Sequence, residues 1–177
     1  WKINMVDVSV LMCIHSEEEE WLIESIESVL SQSYSNFEFI IVNDNPSREI
    51  NKKLLEYYSL KDLRISVINN EINLGLTKSL NIGLRRTKGK YVARMDADDI
   101  SLPKRLEKQV KFMEKNDDIV VCGTGIITFN QAGTIRKHIM PSDEIEIKVS
   151  LLSHCVLMHP TVILRKDVLD KEKYRYN

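Results

Sequence analysis

The chain has 177 residues, 43% of them hydrophobic and 29% charged, which suits one soluble domain with a proper core. Its 25 basic and 26 acidic residues leave a formal charge of −1. That balance argues against nucleic acid as the main ligand, because binding a phosphate backbone shows as a basic excess. In chain order, "VSVLMCI" (8–14) predicts a buried strand, and "EEEWLIESIESVLSQS" a helix with Leu22, Ile26, Val29 and Leu30 on one face. "FEFIIV" (37–42) predicts a second strand, the turn residues "NDNPS", and then a helix presenting Ile50, Leu54 and Tyr57 or Tyr58 inward. "RISVI" (64–68) is a third strand, "GLTKSLNIGLRR" a helix with Leu76, Leu80 and Leu84 inward, and "KGKYVARM" carries a fourth strand.

This β-α-β-α-β-α-β run with short connections predicts a mostly parallel sheet covered on both faces. Beyond "DADD", Pro103 predicts a helix start, with Leu106, Val110 and Met113 on its apolar face. "DIVVCGTGIITFNQAGTIRKHIM" reads as a strand, a Gly-containing turn and a returning strand. A helix is expected within 142–153 and a strand at "TVILR" (161–165). No linker or repeat interrupts the chain, so a single domain is expected. Cys13, Cys122 and Cys155 show no metal-binding spacing and read as reduced thiols in a cytosolic setting, the first two in apolar surroundings. No apolar run approaches bilayer length, and "WKINMVDVSV" lacks a signal-peptide layout. A chain that runs from Trp1 to "KYRYN" reads as an excerpt of a longer protein.

The unusual polar residues fall at the strand ends: "CIHSE", "NDN", "NNEINLG" and "DADD". Open parallel sheets bind ligands outside the carboxyl ends of their strands. Asp44 reads either as a cap for the following helix or as a carboxylate that accepts from a nucleobase edge. His15 reads either as a structural histidine or as a base-stacking one. Gly75 reads as a turn residue or as a point of close backbone approach at a helix start, where phosphate is favoured.

Asp96, Asp98 and Asp99 gather three carboxylates within four residues, as a solvated turn or as a site for a divalent cation that cancels their repulsion. An EF-hand starting at Asp96 fails at Ile100 and Ser101, and no histidine or cysteine lies near enough in sequence for zinc. Two aspartates suit a hard cation that completes its shell with water and a substrate diphosphate.

The segments "VSVLMCIHSEEEEWLIESIESVLSQSYSNFEFIIVNDN", "NLGLTKSLNIGLRRTKGKYVARMDADDISLPKRLEKQ" and "HPTVILRK" resemble the family 2 glycosyltransferases, inverting enzymes of the GT-A fold, over about residues 7 to 170. Among them the chain looks closest to bacterial enzymes that build capsule, lipopolysaccharide or other surface glycans. The resemblance implies a Rossmann-like α/β fold with a C-terminal hairpin or strand region, truncated before the family's C-terminal part. A nucleotide-sugar-binding part is expected over about 7–100, and the incomplete start of an acceptor-side part over about 101–177.

It assigns nucleotide-sugar contacts to Cys13, Ile14, His15, Glu17, Asp44, Asn73, Gly75, Lys78, Asn81, Asp96 and Ala97. It gives Mn²⁺ or Mg²⁺ to Asp96 and Asp98, with Asp98 the more direct ligand and Asp99 orienting the loop. His15 stands where the family often has tyrosine or asparagine-flanked aromatics, Asn43 replaces the first of a common aspartate pair, and Leu80 occupies a frequent arginine position, leaving Lys78 for the diphosphate. His159 is expected to border the acceptor. The family's general base, commonly in an "ED" motif, is expected beyond Asn177, since Asp167, Asp170 and Glu172 read as an ordinary charged helix.

The implied reaction moves a sugar from a nucleotide-diphosphate donor, expected to be a UDP-sugar, to a glycan or lipid-linked acceptor. It would take place in the cytoplasm or at the inner membrane face, with peripheral membrane association through segments outside this sequence. Two alternatives remain: a non-catalytic nucleotide-sugar-binding module, and a Mg²⁺-dependent phosphohydrolase with an Asp-x-Asp nucleophile. The second normally carries its motif after the first strand, whereas here it follows the fourth.

Overall fold

The computed structural model describes residues 6–130, 132–133 and 135–176. Residues 1–5, read above for a signal peptide, and Gln131 and Thr134 of the expected turn lie outside that set. Strands β1 (Val8–Ile14), β2 (Phe37–Asn43), β3 (Ile65–Asn69) and β4 (Tyr91–Met95) pair in parallel, in the order β3-β2-β1-β4. β8 (Ile163–Arg165) then adds antiparallel to β4, and β5 (Val121–Cys122) antiparallel to β8. β1 and β4 are buried along their whole length because helices cover both sheet faces, so apolar runs replace alternation there.

Helices α1 (Glu19–Leu30), α2 (Glu49–Lys61) and α4 (Arg105–Lys115) lie on one face. Leu22, Ile26, Leu55, Val110 and Met113 pack there against Val10, Met12, Phe39 and Ala93. α3 (Leu76–Leu84) and α6 (Lys166–Lys171) cover the other face, where Leu80, Leu84 and Leu169 meet Leu11, Ile40, Val42 and Val92. α3 approaches so closely that a Cβ on Gly83 would stand 2.3 Å from Leu11 Cδ1 and 2.9 Å from Val42 Cγ2. The expected mostly parallel sheet with helices on both faces is the observed one. Among the described residues no helix is long and apolar enough to cross a membrane.

Several expectations need correction. On α2 the buried face is Asn51, Leu55 and Tyr58, and Ile50 is 42% exposed. A buried asparagine that bonds to the strand ends takes the place of Ile50 on this face, while Leu54 packs half-buried against the core and Tyr58 points inward as expected. Leu76 is 53% exposed, because it opens α3 above the sheet edge, and the face of α3 is completed by Ser79 and Gly83. Pro103 precedes α4 by two residues, and its carbonyl accepts from Ser33 N. The stretch expected as strand, turn and return divides in three: β5 joins the main sheet, while β6 (Ile126–Phe129) and β7 (Ile135–His138) form a separate hairpin. α5 (Glu144–Ser150) fills part of the expected 142–153 helix, capped by Asp143 Oδ1, which accepts from Ile145 N and Glu146 N.

Candidate functional site

After β3 the chain crosses back over the other face to β4, so the winding reverses between β1 and β4. A crevice opens there at the strands' carboxyl ends. Strand register places Met12 of β1 beside Met95 of β4, so Cys13 and His15 on one side face Asp96 on the other. The loop Asp96–Leu102 is pinned from beneath by α1. Ser25 Oγ donates to Asp96 O (3.0 Å), and Ser101 N donates to Ser28 Oγ (2.9 Å). Gln32 Nε2 donates to Leu102 O (2.8 Å), while Gln32 Oε1 accepts from Leu106 N (3.0 Å). Ser25 and Ser28 on the face of α1 and Gln32 just beyond its end are buried polar residues that fix the loop before any ligand arrives.

Within that loop the carboxylates differ. Asp96 pairs with the buried Arg94, Nη2 to Oδ1 2.5 Å. Ala97 is buried in the core. Asp98 is exposed, and among the described residues its carboxylate accepts no hydrogen bond and forms no ion pair. Partial desolvation, then the charges of Asp96 and Asp98, hold the Asp99 carboxyl above its ordinary range, with Arg105 and Arg94 opposing. No third His, Cys, Asp or Glu completes a metal-binding group among the described residues. The donor set is therefore all oxygen and open, which suits a hard cation completed by water and a ligand phosphate. Asp98 is exposed and free to take it, with the exposed Asp99 beside it.

The β2 end is built as a buried polar network. Asp44, 3% exposed, accepts from Asn70 Nδ2 (2.7 Å) and Leu74 N (2.8 Å) at Oδ1, and from Gly75 N (2.8 Å) at Oδ2. Burial pushes its carboxyl up, but the bonds from Leu74, Asn70, Ser79 and Gly75 outweigh it and hold the group below 3.8. It does not cap α2. It clamps the 70–75 loop at the start of α3. Asn43 Oδ1 accepts from Asn45 N and from Asn51 Nδ2, and Asn43 Nδ2 donates to Asn69 Oδ1, so the residue in the aspartate's place serves as a hub.

The β1 end joins this network. Asn73 Nδ2 donates to His15 Nε2 (2.7 Å), and Asn73 Oδ1 accepts from Gly75 N (3.0 Å). Glu17 Oε2 accepts from His15 N (2.8 Å). Ile14 turns its side chain into the core and offers only its carbonyl, which accepts from Asp44 N (2.9 Å). Cys13 is buried, and its thiol is pushed up to about 12 chiefly by that burial, so it stays protonated. Gly75, at φ +82°, has open space where a Cβ would stand, but its N–H is already given to Asp44 and Asn73.

Lys78 is exposed and unpaired among the described residues. Asn81 Nδ2 donates to Tyr176 O (2.9 Å) and Oδ1 accepts from Tyr176 N (3.0 Å), so its amide holds the tail. His159 lies edge-on to Tyr176, ring centroids 5.5 Å apart, and desolvation, then Arg94, lower its pKa. Sequence reasoning missed Ser25, Gln32, Asn51, Asn70 and Arg94. Only Arg94 left a signal, as a charge inside an apolar strand.

The sequence matches Glycosyl transferase family 2 over residues 9–172. The chain belongs to this family. It is 41% identical over 169 residues to an uncharacterized glycosyltransferase of Methanocaldococcus jannaschii, covering 94% of this chain and 58% of that protein. It is 38% identical to the O-antigen biosynthesis glycosyltransferase WbnJ of Escherichia coli, covering 94% and 64%. The chain thus spans little more than half the length of such relatives. Among solved structures, S. aureus TarS 1–349 superposes with a TM-score of 0.76 at 23% identity, covering 97% of this chain and 50% of that 1–349 chain, which is also known in complex with UDP-GlcNAc. The mannosyltransferase PcManGT from Pyrobaculum calidifontis, in complex with GDP-Man and Mn²⁺, superposes at 0.69 with 13% identity, covering 93% and 46%. At these identities the likeness establishes the fold, the Rossmann-like GT-A arrangement expected of the family.

Proposed function

We propose that this chain is the donor-binding part of a glycosyltransferase that takes a UDP-sugar and a divalent cation, Mn²⁺ or Mg²⁺, and passes the sugar with inversion to a glycan or lipid-linked acceptor at the cytoplasmic side of a membrane. The nucleotide-binding part is residues 7–100, and 101–177 begins the acceptor side. The observation that carries this reading is the pinned acidic loop at the crevice between β1 and β4, with the Asp98 carboxylate left free. The family membership and the UDP-GlcNAc and Mn²⁺ complexes of its structural relatives support it.

In this reading the nucleoside lies over the β1 and β2 ends, against His15 and Asn73, with the Asp44 clamp shaping the wall beneath it. Asp44 Oδ2 accepts one backbone bond, from Gly75 N, and retains capacity for a second, from a uracil N–H. Lys78 reaches towards the diphosphate, and Asp98 holds the cation against it. A cation there supplies charge stabilisation to the departing diphosphate. His159, kept neutral, borders the acceptor. Asp170 is tied to Lys166, so α6 offers a poor general base, and we place that base in the part of the relatives that this chain does not span.

A thermal-shift panel of uridine, guanosine and adenosine diphosphates, each with Mn²⁺ and with EDTA, tests this. A ligand at a hundred times its Kd stabilises by about 2.7 kcal/mol. UDP with Mn²⁺ should give the largest shift. Equal shifts in EDTA would remove the metal role, and equal shifts from all three bases would remove the uracil preference.

A further inference from the structure

Arg94 breaks the rule of its own strand. β4 is buried at every position, and a parallel strand covered on both faces favours apolar side chains throughout. A buried guanidinium costs desolvation that only a full set of partners offsets. The same chain shows such a set at Arg165, where Nε donates to Ile119 O, Nη1 to Tyr91 Oη, and Nη2 to Met113 O and Asn116 O. Arg94, 1% exposed, lacks it. Its Nη1 reaches only the carbonyls of Leu11 and Met95, and its Nε is buried without a partner among the described residues. Its one charged partner is Asp96, the first carboxylate of the acidic loop, at 2.5 Å.

We infer that Arg94 is a positioning residue of the donor site: it neutralises Asp96 and holds it turned inward, leaving the exposed Asp98 to meet an incoming cation. The inference rests on the metal role proposed for the loop. Three carboxylates within four residues and no fixed counter-charge would attract a bare divalent cation strongly, whether or not a nucleotide were present. An internal guanidinium weakens that attraction. The cation then binds well only when a diphosphate brings further oxygen ligands, which couples metal occupancy to the arrival of donor.

The test uses Arg94→Met, Arg94→Lys, Asp96→Asn and the double variant Arg94→Met/Asp96→Asn. Mn²⁺ binding without nucleotide is read from the electron paramagnetic resonance signal of free Mn²⁺. Arg94→Met should bind bare Mn²⁺ at least about tenfold tighter, since one neighbouring unit charge shifts a carboxylate's cation preference by about ten- to a thousandfold. Arg94→Lys should return the affinity towards that of the wild type. A merely structural arginine would leave Mn²⁺ affinity unchanged or lower it in the folded variant, and either result would overturn the inference.

Should Arg94→Met fail to fold, the metal-free stabilities decide. Asp96→Asn strands a buried charge and should cost more stability than the double variant, which removes both partners. Additive effects would overturn the pairing. If the wild type binds no Mn²⁺ even with UDP while the cycle shows coupling, the metal reading of the loop falls and Arg94 keeps only its hold on Asp96.

Discussion

Replacing Asp44 by alanine separates two roles for one carboxylate. Besides the Ser79 hydroxyl, the side chain is held by Asn70 Nδ2, Leu74 N and Gly75 N at 2.7 to 2.8 Å. Hydrogen bonds to a charged group contribute about 1.5–3 kcal/mol each. Gly75 is exposed, keeps Asn73 Oδ1 and, like half-buried Leu74, can turn to water, whereas Asn70 is buried and is left with Ser79 Oγ as the acceptor for one of its two N–H groups. The net cost of Asp44→Ala should be about 3–5 kcal/mol, or roughly 10 °C in Tm for a chain of this size. Asp44→Asn, which keeps the shape but turns one acceptor into a donor facing donors, should cost about half as much. Differential scanning calorimetry without ligand checks both.

The pH dependence of that cost has a definite sign. The folded carboxyl sits below its ordinary value, so its contribution is present above the unfolded pKa and is lost as the pH falls through the folded pKa. The gap between wild type and Asp44→Asn should therefore be constant near neutrality and close in strong acid. A variant with wild-type Tm that loses only nucleotide affinity would refute the clamp and leave Asp44 as a base reader alone.

Gly83→Ala forces a Cβ to within 2.3 Å of Leu11 Cδ1 and should cost about 1–3 kcal/mol in urea unfolding, with m unchanged. Gln32→Ala removes the bonds that tie Ser101, Leu102 and Leu106 to the segment just after α1, and should weaken UDP–Mn²⁺ binding although residue 32 lies beneath the loop and not in it. At mildly alkaline pH a thiol reagent should label the exposed Cys155, while Cys13, pushed up to about 12, reacts only on unfolding.

The parallel core was legible because its cause is local: runs such as "VSVLMCI" and "FEFIIVN" are apolar at almost every position, and only two-sided burial explains that. The strand-end rule then placed Asp44, Asn73 and Asp98 near one crevice. What escaped were polar residues whose partners lie far along the chain. Gln32 looks like a helix C-terminal glutamine until Ser101 folds onto it, and Asn51 looks like a solvent-facing residue until Asn43 claims it. Periodicity treats both positions as polar and therefore outward, which is why Ile50 rather than Asn51 was assigned to the inner face of α2. Asn81 fits a family pattern in sequence, yet its amide partner stands 95 positions away at Tyr176. Arg94 was visible as a charge in a buried strand, and only its ion pair with Asp96 gives that charge a purpose.

The central claim is that the acidic loop binds a nucleotide diphosphate through a cation held by Asp98. Calorimetric titration of UDP into this chain and into Asp98→Ala, each in Mn²⁺ and in EDTA, tests it most directly. The account predicts binding by the wild type in Mn²⁺ only, and its near-complete loss in Asp98→Ala at unchanged Tm. Equal UDP affinity in all four titrations would contradict it.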